Sequence, residues 1–246
     1  MSTSSHAFPL LVLLPVPKFV SVKKSLHGIL ENWLSHLCLD LVTYPLKITL
    51  QRGRWLSDCA GKFRYCFTPL VAYIVDTLEA TALTGVARKT SHLMTATYKE
   101  FSDPLRHPPR TAASILTSLE TLASNFNPSD IAAYTSNAKS MFRLNGVNSP
   151  FWRNWHLPDG IPPNPHQIFP VEILHHLHKA FWDHDMKWAI QAARDVELDL
   201  RYSLIQPCGG YRQFSSGVSS LKQVTGREHC DIQRYLLALM PKDVDK

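Results

Sequence analysis

The sequence predicts an α/β protein of mixed, helix-rich character, and three observations carry that expectation. Six apolar or aromatic residues, Leu70 to Val75, run without interruption into Asp76. Such a run suits a strand buried on both faces in the interior of a helix-covered sheet. Upstream, Leu26, Ile29, Leu30, Trp33, Leu34, Leu37, Cys38, Leu41 and Val42 form the i, i+3, i+4, i+7 stripe of an amphipathic helix packed on a sheet. Downstream of Asp76, helical patterns dominate to the end of the chain.

The elements follow in order. Leu10 to Leu14, flanked by Pro9 and Pro15, has the apolar character of a signal core, but Lys18, Lys23 and Lys24 come after it and no small-residue cleavage site follows. A short buried strand is expected there, and a chain that opens inside a strand points to a missing upstream part. A helix is expected over 24–50, kinked or restarted at Pro45. Arg54–Cys59, a turn at Gly61 and Lys62–Phe67 read as a hairpin feeding the Asp76 strand.

From Thr77 the texture changes to short helices, Thr77–Thr84, Met94–Phe101, Ala112–Ala123 and Pro128–Phe142, separated by breaks such as His107-Pro-Pro-Arg110. Asn127-Pro128-Ser129-Asp130 is a helix start with an acid in its first turn. Leu157 to Pro170 holds five prolines and reads as a linker or surface loop. Helices are then expected over Val171–Gln191, Ala193–Leu204 and Thr225–Met240, with a turn at Cys208-Gly-Gly-Tyr211. The expected organisation is 1–76, the first part of a core; 77–170, a helical insertion; and 171–246, helices completing the core.

Composition narrows the function classes. With 246 residues, 45% hydrophobic and 19% charged, the chain is an ordinary globular protein and not a disordered one. A net charge of +6 and a pI near 9.1 are compatible with a nucleic-acid partner. The five cysteines are odd in number and scattered, with no CxxC pair, so neither a disulfide framework nor a zinc ribbon is indicated. No apolar stretch approaches the ~20 residues that cross a bilayer. Phosphate-loop, dinucleotide, zincin and α/β-hydrolase motifs are all missing.

Four groups of residues could carry chemistry. Asp76 stands at the end of its strand, where open sheets place ligands, or it caps the helix beginning at Thr77. Glu172, His175 and His178 share one helical face, with His184 turned elsewhere. Imidazole and carboxylate suit a transition metal, but hydrogen bonding to neighbouring backbone is the simpler role. Thr225-Gly-Arg-Glu228 is a capping box, and its Glu228 could also serve as a metal ligand. Lys62, Arg64, Arg88, Lys89, Arg212, Lys222 and Arg227 could contact phosphates or simply face solvent. Phe151, Trp152 and Trp155 read as core packing.

Several phrases occur in an order that resembles the Plavaka-type DNA transposases of mushroom-forming fungi, related to the CACTA/Mirage/Chapaev and Kyakuja–Dileera–Zisupton groups. These are LLPVPKF, FRYCFTPLVAYIVDTLEA, KTSHLMTATYKEFSDPLRHPPRT, RLNGVNSPFWRNW, EILHHLHKAFWDHDMKW and LKQVTGREHCDIQRYL, spanning about Leu10 to Leu239. The resemblance implies a ribonuclease-H-like core, partial in this chain, with an all-α insertion after the second of three Mg²⁺-binding acids. Asp76 matches that second acid, Glu228 the third, with Glu172 as the alternative third, and His175, His178 and His184 match supporting residues. Two features depart from the pattern. The first acid is expected on a strand upstream of these residues, and Arg88-Lys-Thr-Ser91 stands where many relatives carry paired cysteines.

The implied parent activity is Mg²⁺-dependent strand cleavage and transfer on double-stranded DNA at transposon ends. A nuclear location, possible self-association, and no membrane or small-molecule partner accompany it. A chain without the first acid is expected to be inactive. Two alternatives remain open: a non-enzymatic DNA- or protein-binding remnant, and a metal-binding protein using the histidine-rich helix.

Overall fold

The computed structural model describes residues 10–20, 23–156, 160, 162–170, 172, 177–222 and 224–240. The chain divides into two compact units, Met1–Pro170 and Val171–Lys246. It is mixed and helix-rich, and among the described residues its sheet has two strands.

In the first unit, helix α1 (His27–Arg52) follows a 3₁₀ turn, Lys24–Leu26. The break expected at Pro45 does not occur, and the helix runs on to Gly53. Leu41 and Pro45 are both exposed, so water can serve the carbonyl that the proline leaves without a donor. Gly53, at φ +65°, turns the chain into an antiparallel hairpin of β1 (Arg54–Ser57) and β2 (Phe63–Cys66), with Arg54 opposite Cys66 and Ser57 opposite Phe63. The Asp58 carboxylate accepts the amides of Ala60 and Lys62 and closes the turn.

The strand expected at Leu70–Val75 is extended but is not an interior strand. Val71 is 76% and Ile74 70% exposed, whereas Tyr73 is half-buried and Val75 buried. Tyr73 N–H donates to Ile168 O at 2.7 Å and Val75 N–H to Pro170 O at 3.4 Å, so the segment rests on residues 168–170, at the end of a short helix, and covers one face only. Leu10 to Leu14 is likewise not a buried strand. Leu10, Leu11 and Leu13 are all largely exposed.

Helices α2 (Thr77–Thr84), α3 (Ala112–Asn125) and α4 (Ile131–Phe142) begin at Asp76, Thr111 and Asp130, each of which accepts an amide of the first turn. A short helix, α5 (Pro165–Ile168), follows. The helix expected over Met94–Phe101 is replaced by bridges pairing Thr90 with Thr97 and Met94 with Pro109. Glu100 takes both the amide and the hydroxyl of Thr97 at 2.8 Å, a local turn that competes with helix formation.

The core of this unit gathers Leu83, Ile115, Leu119, Leu122, Tyr134, Leu144, Phe151 and Trp152. Trp152 Nε1 donates to Leu83 O, and Lys47, buried on α1, is held by Asp40 and by Phe151 O. Phe151, Trp152 and Trp155 are therefore packing residues, as their composition suggests. His36, on the same face of α1 as Lys47, also holds Phe151. Its Nδ1 accepts Phe151 N–H at 3.1 Å and its Nε2 donates to Ala82 O at 3.2 Å, which requires a neutral ring.

In the second unit, α6 (Lys179–Phe181), a π-helical stretch (Trp182–Met186) and α7 (Lys187–Ala193) lead to α8 (Asp195–Ser203) and α9 (Gly226–Leu239). Met186, Leu198, Tyr202, Phe214, Val218, Ile232 and Leu236 form its core. Tyr202 Oη donates to Ile232 O at 2.8 Å, tying α8 to α9. The Asp199 carboxylate accepts the amides of Val218 and Ser219 and the Ser219 hydroxyl, which pins the long loop between α8 and α9.

Candidate functional site

The first acidic centre lies at the head of α2. Asp76 is in extended backbone and its Oδ1 accepts Glu79 N–H at 2.7 Å, so the capping role read from sequence is real. Capping uses one carboxylate oxygen and leaves the other open. Burial first, then the negative charge of Asp76, raise the Glu79 carboxyl above its ordinary value. Burial and Glu79 together raise the Tyr73 phenol in the same way. Among the described residues, neither acid pairs with a lysine or arginine. Like charges held close without a cation are the surroundings in which a divalent ion is favoured.

The second centre lies at the head of α9, in the other unit. Thr225 and Glu228 form the capping box, with Glu228 Oε2 accepting Thr225 N–H at 2.7 Å. The other Glu228 oxygen is ion-paired with Arg212. One turn further along, Asp231 is 2% exposed and accepts Arg212 N–H and Arg234 Nη1, each at 3.1 Å. Arg227 reaches back to Gly210 O, and Arg234 stacks over Tyr211 at 4.7 Å. Tyr211, Arg212, Arg227, Glu228 and Asp231 line a cavity of about 350 Å³.

Behind that helix start sits a thiol–imidazole group. Cys230 Sγ is 3.3 Å from His178 Nε2, and His178 Nδ1 is 3.2 Å from Gln233 Oε1. The His229 ring lies parallel to that of His178 at 6.1 Å and meets Trp182 edge-on. Burial first, and then the positive fields of His178 and Lys179 against that of Asp183, lower the His229 imidazole from its ordinary value. His178 supports α9 through this network. Among the described residues, no three His, Cys, Asp or Glu side chains are grouped to hold a metal ion.

The other expected site residues are dispersed. His184 packs on Trp188, Glu172 is half-buried, and His175 lies outside the described residues. Arg64 sits on β2 paired with Asp58, and Lys62 is exposed at the hairpin turn. Arg88 and Lys89 are exposed beyond α2, with Lys89 at φ +63° and its ammonium over Tyr98. Lys222 is exposed ahead of α9. Of the basic residues named from sequence, Arg212 and Arg227 are the two that converge with an acid named from sequence. Sequence reasoning missed Glu79 and Asp231, although each stands three residues after a named acid, the spacing that puts two side chains on one helical face.

A family model described as Plavaka transposase matches residues 1–189. No curated protein matches the chain, and no solved structure does. Among the described residues, no helix is long and apolar enough to cross a membrane.

Proposed function

The chain belongs to the Plavaka transposase family, and from that premise we propose that it binds double-stranded DNA at transposon ends, in the nucleus, through a ribonuclease-H-like core. The parent activity is Mg²⁺-dependent cleavage and transfer of DNA strands. The observation that carries this reading is the cavity at the head of α9, where Arg212 and Arg227 line one pocket with Glu228 and Asp231. Arginines beside carboxylates suit a reaction in which a phosphate must be gripped next to acids.

The donor groups fit Mg²⁺ unequally. Asp76, with one oxygen open and Glu79 beside it, presents the hard, negative, unpaired set that this ion takes. Glu228 is spoken for by Arg212 and the Thr225 amide, and joins a metal only when Arg212 moves to a phosphate. Glu172 stays the alternative third acid. When bound, Mg²⁺ activates the attacking water or 3′-hydroxyl and stabilises the leaving oxygen. For its part, the protein orients a backbone phosphate through Arg212 and Arg227, and Asp231 keeps the Arg212 main chain in place. His178, hydrogen-bonded to Gln233 and Cys230, holds α9 from behind.

The test is binding of the full chain to duplex DNA between 50 and 200 mM salt. Each phosphate contact steepens the slope of log K against log salt by about 0.9. Arg212→Gln with Arg227→Gln is expected to flatten that slope by about two and to weaken binding to all sequences alike. Salt-independent binding, or none, defeats the reading. If binding is salt-dependent but Mn²⁺ or Mg²⁺ produces no nicks in end-sequence DNA, the second reading, a DNA-binding remnant, replaces catalysis by this chain.

A further inference from the structure

A second cavity, of about 340 Å³, opens in the first unit between the head of α3 and the end of α4. Its polar lining is Arg110, Arg143, Thr95, Ser114 and Ser118, and no carboxylate lines it. The unusual member is Arg110, whose side chain belongs to a residue only 7% exposed. Buried charges in proteins are almost always paired, because an unpaired one loses its hydration without return. Among the described residues Arg110 has no acidic partner. Its Nε donates to Ser91 O at 2.9 Å and Met94 O at 3.0 Å, which fixes the plane of the fork. The two terminal nitrogens have no hydrogen-bond partner among the described residues.

The second cation is held loosely. Arg143, at φ +57°, caps α4, and its Nη1 reaches Glu100 and Thr95 O only at 3.5 Å. Glu100 is already engaged by the Thr97 amide and hydroxyl at 2.8 Å. Burial and the charge of Arg143 both lower the Arg110 guanidinium from its ordinary value, as expected for two cations sharing one space. The positive end of α3, a helix of 14 residues, adds to that field. Two of its first amides are engaged elsewhere, Ala112 N–H with Asn164 and Ser114 N–H with Thr111.

A fixed fork with free terminal N–H groups, a second, loosely held guanidinium and no carboxylate in the lining is a receptor for a tetrahedral oxyanion. We propose that this cavity binds a single phosphate group, its oxygens held by the terminal nitrogens of Arg110 and Arg143. The phosphate is either free, as in inorganic phosphate or a nucleotide, or part of a DNA backbone. The site is in the other unit from the α9 cavity and does not depend on the reading given to that cavity.

Calorimetric titration of the full chain with inorganic phosphate, at constant ionic strength against chloride, tests the site. One phosphate per chain is expected. Arg143→Gln should weaken it about tenfold or more, the worth of one charge-assisted hydrogen bond. The thermal midpoint of the unliganded protein should stay unchanged, because the Arg143 side chain is half exposed. Arg110→Lys keeps the charge but loses the fork, and should also weaken phosphate. If Arg110→Lys does not fold, Arg143→Gln decides alone. Phosphate heats no different from chloride, or an Arg143→Gln titration equal to that of the parent, overturn the proposal.

The same variant identifies the source. A salt slope for duplex DNA lower by about one assigns the site to a backbone phosphate. An unchanged slope with phosphate binding lost assigns it to a free phosphate. Retained phosphate binding in a chain that does not bind DNA leaves this site standing and removes the function proposed above.

Discussion

Two helices of this chain, α2 and α9, begin with carboxylates one turn apart, and the pairs stand in opposite electrostatic surroundings. Among the described residues Asp76 and Glu79 have no cation beside them, and the charge of Asp76 adds to the cost of charging Glu79. Glu228 and Asp231 are clasped by Arg212 and Arg234 and by backbone amides. Asp76 is the N-cap of α2, whereas Thr225 is the N-cap of α9 and Glu228 completes its capping box, so two acids three residues apart stand in two different settings. On the function proposed above, the bare pair would gather a divalent ion and the clasped pair would position arginines for a phosphate. Capping explains why acids occur at both places; the surrounding cations decide what else they can do.

The largest expected effect tests the clasp. Asp231→Ala leaves the Arg212 amide and the Arg234 guanidinium without their buried acceptor, and should cost about 3–4 kcal/mol in urea denaturation. Glu79→Ala, which removes an unpaired and exposed acid, should change stability by less than about 0.5 kcal/mol. Equal costs for the two substitutions would erase the contrast.

Acid provides the next test, because it acts on a residue that braces α2. His36 is buried and neutral, and burial lowers its pKa from 6.5 to about 4. The unfolded chain takes up a proton near pH 6.5 while the folded ring resists. The stabilisation is thus complete above pH 6.5 and is lost as pH falls toward 4, amounting to about 3 kcal/mol. Urea midpoints measured at pH 7, 6, 5 and 4 should show this decline, and His36→Gln should flatten it. A decline of the same steepness in the variant would assign the acid sensitivity elsewhere.

A smaller effect compares the caps themselves. Thr225→Ala and Asp76→Ala each remove one first-turn acceptor and should each cost about 1 kcal/mol in urea denaturation. The caps are equal in this respect, so any difference beyond that reports the surrounding charges.

The helix starts are also what the sequence shows best. α2, α3, α4 and α9 lie close to their expected positions because their caps and periodicity are local signals, and α8, which has no side-chain cap, is placed by periodicity alone. The failures come from information that is not local. Leu70 to Val75 reads as buried on both faces, yet an apolar run does not reveal whether anything covers its second side, and Val71 and Ile74 are exposed. Met94 to Phe101 has helical spacing, and Glu100 folding back on Thr97 overrides it. Pro45 reads as a break, but on the outer side of a long helix a proline is tolerated. Glu228 and Arg227 are legible as neighbours, while the pairing of Glu228 with Arg212 and of Cys230 with His178 spans residues that no spacing rule connects.

The finest expected effect falls on Asp76. Asparagine keeps the capping oxygen and removes the charge, so Asp76→Asn should leave stability within about 0.5 kcal/mol of the parent. The one function it should lose is the ion. Titration of Mn²⁺ followed by electron paramagnetic resonance should show weak binding to the parent chain and about tenfold weaker binding to the variant, the loss of one charged ligand. Glu228→Gln should leave Mn²⁺ binding where it was, because that carboxylate is already neutralised by Arg212. If instead both substitutions reduce Mn²⁺ binding alike, Glu228 sheds its arginine for the ion, and the contrast between the bare and the clasped pair fails.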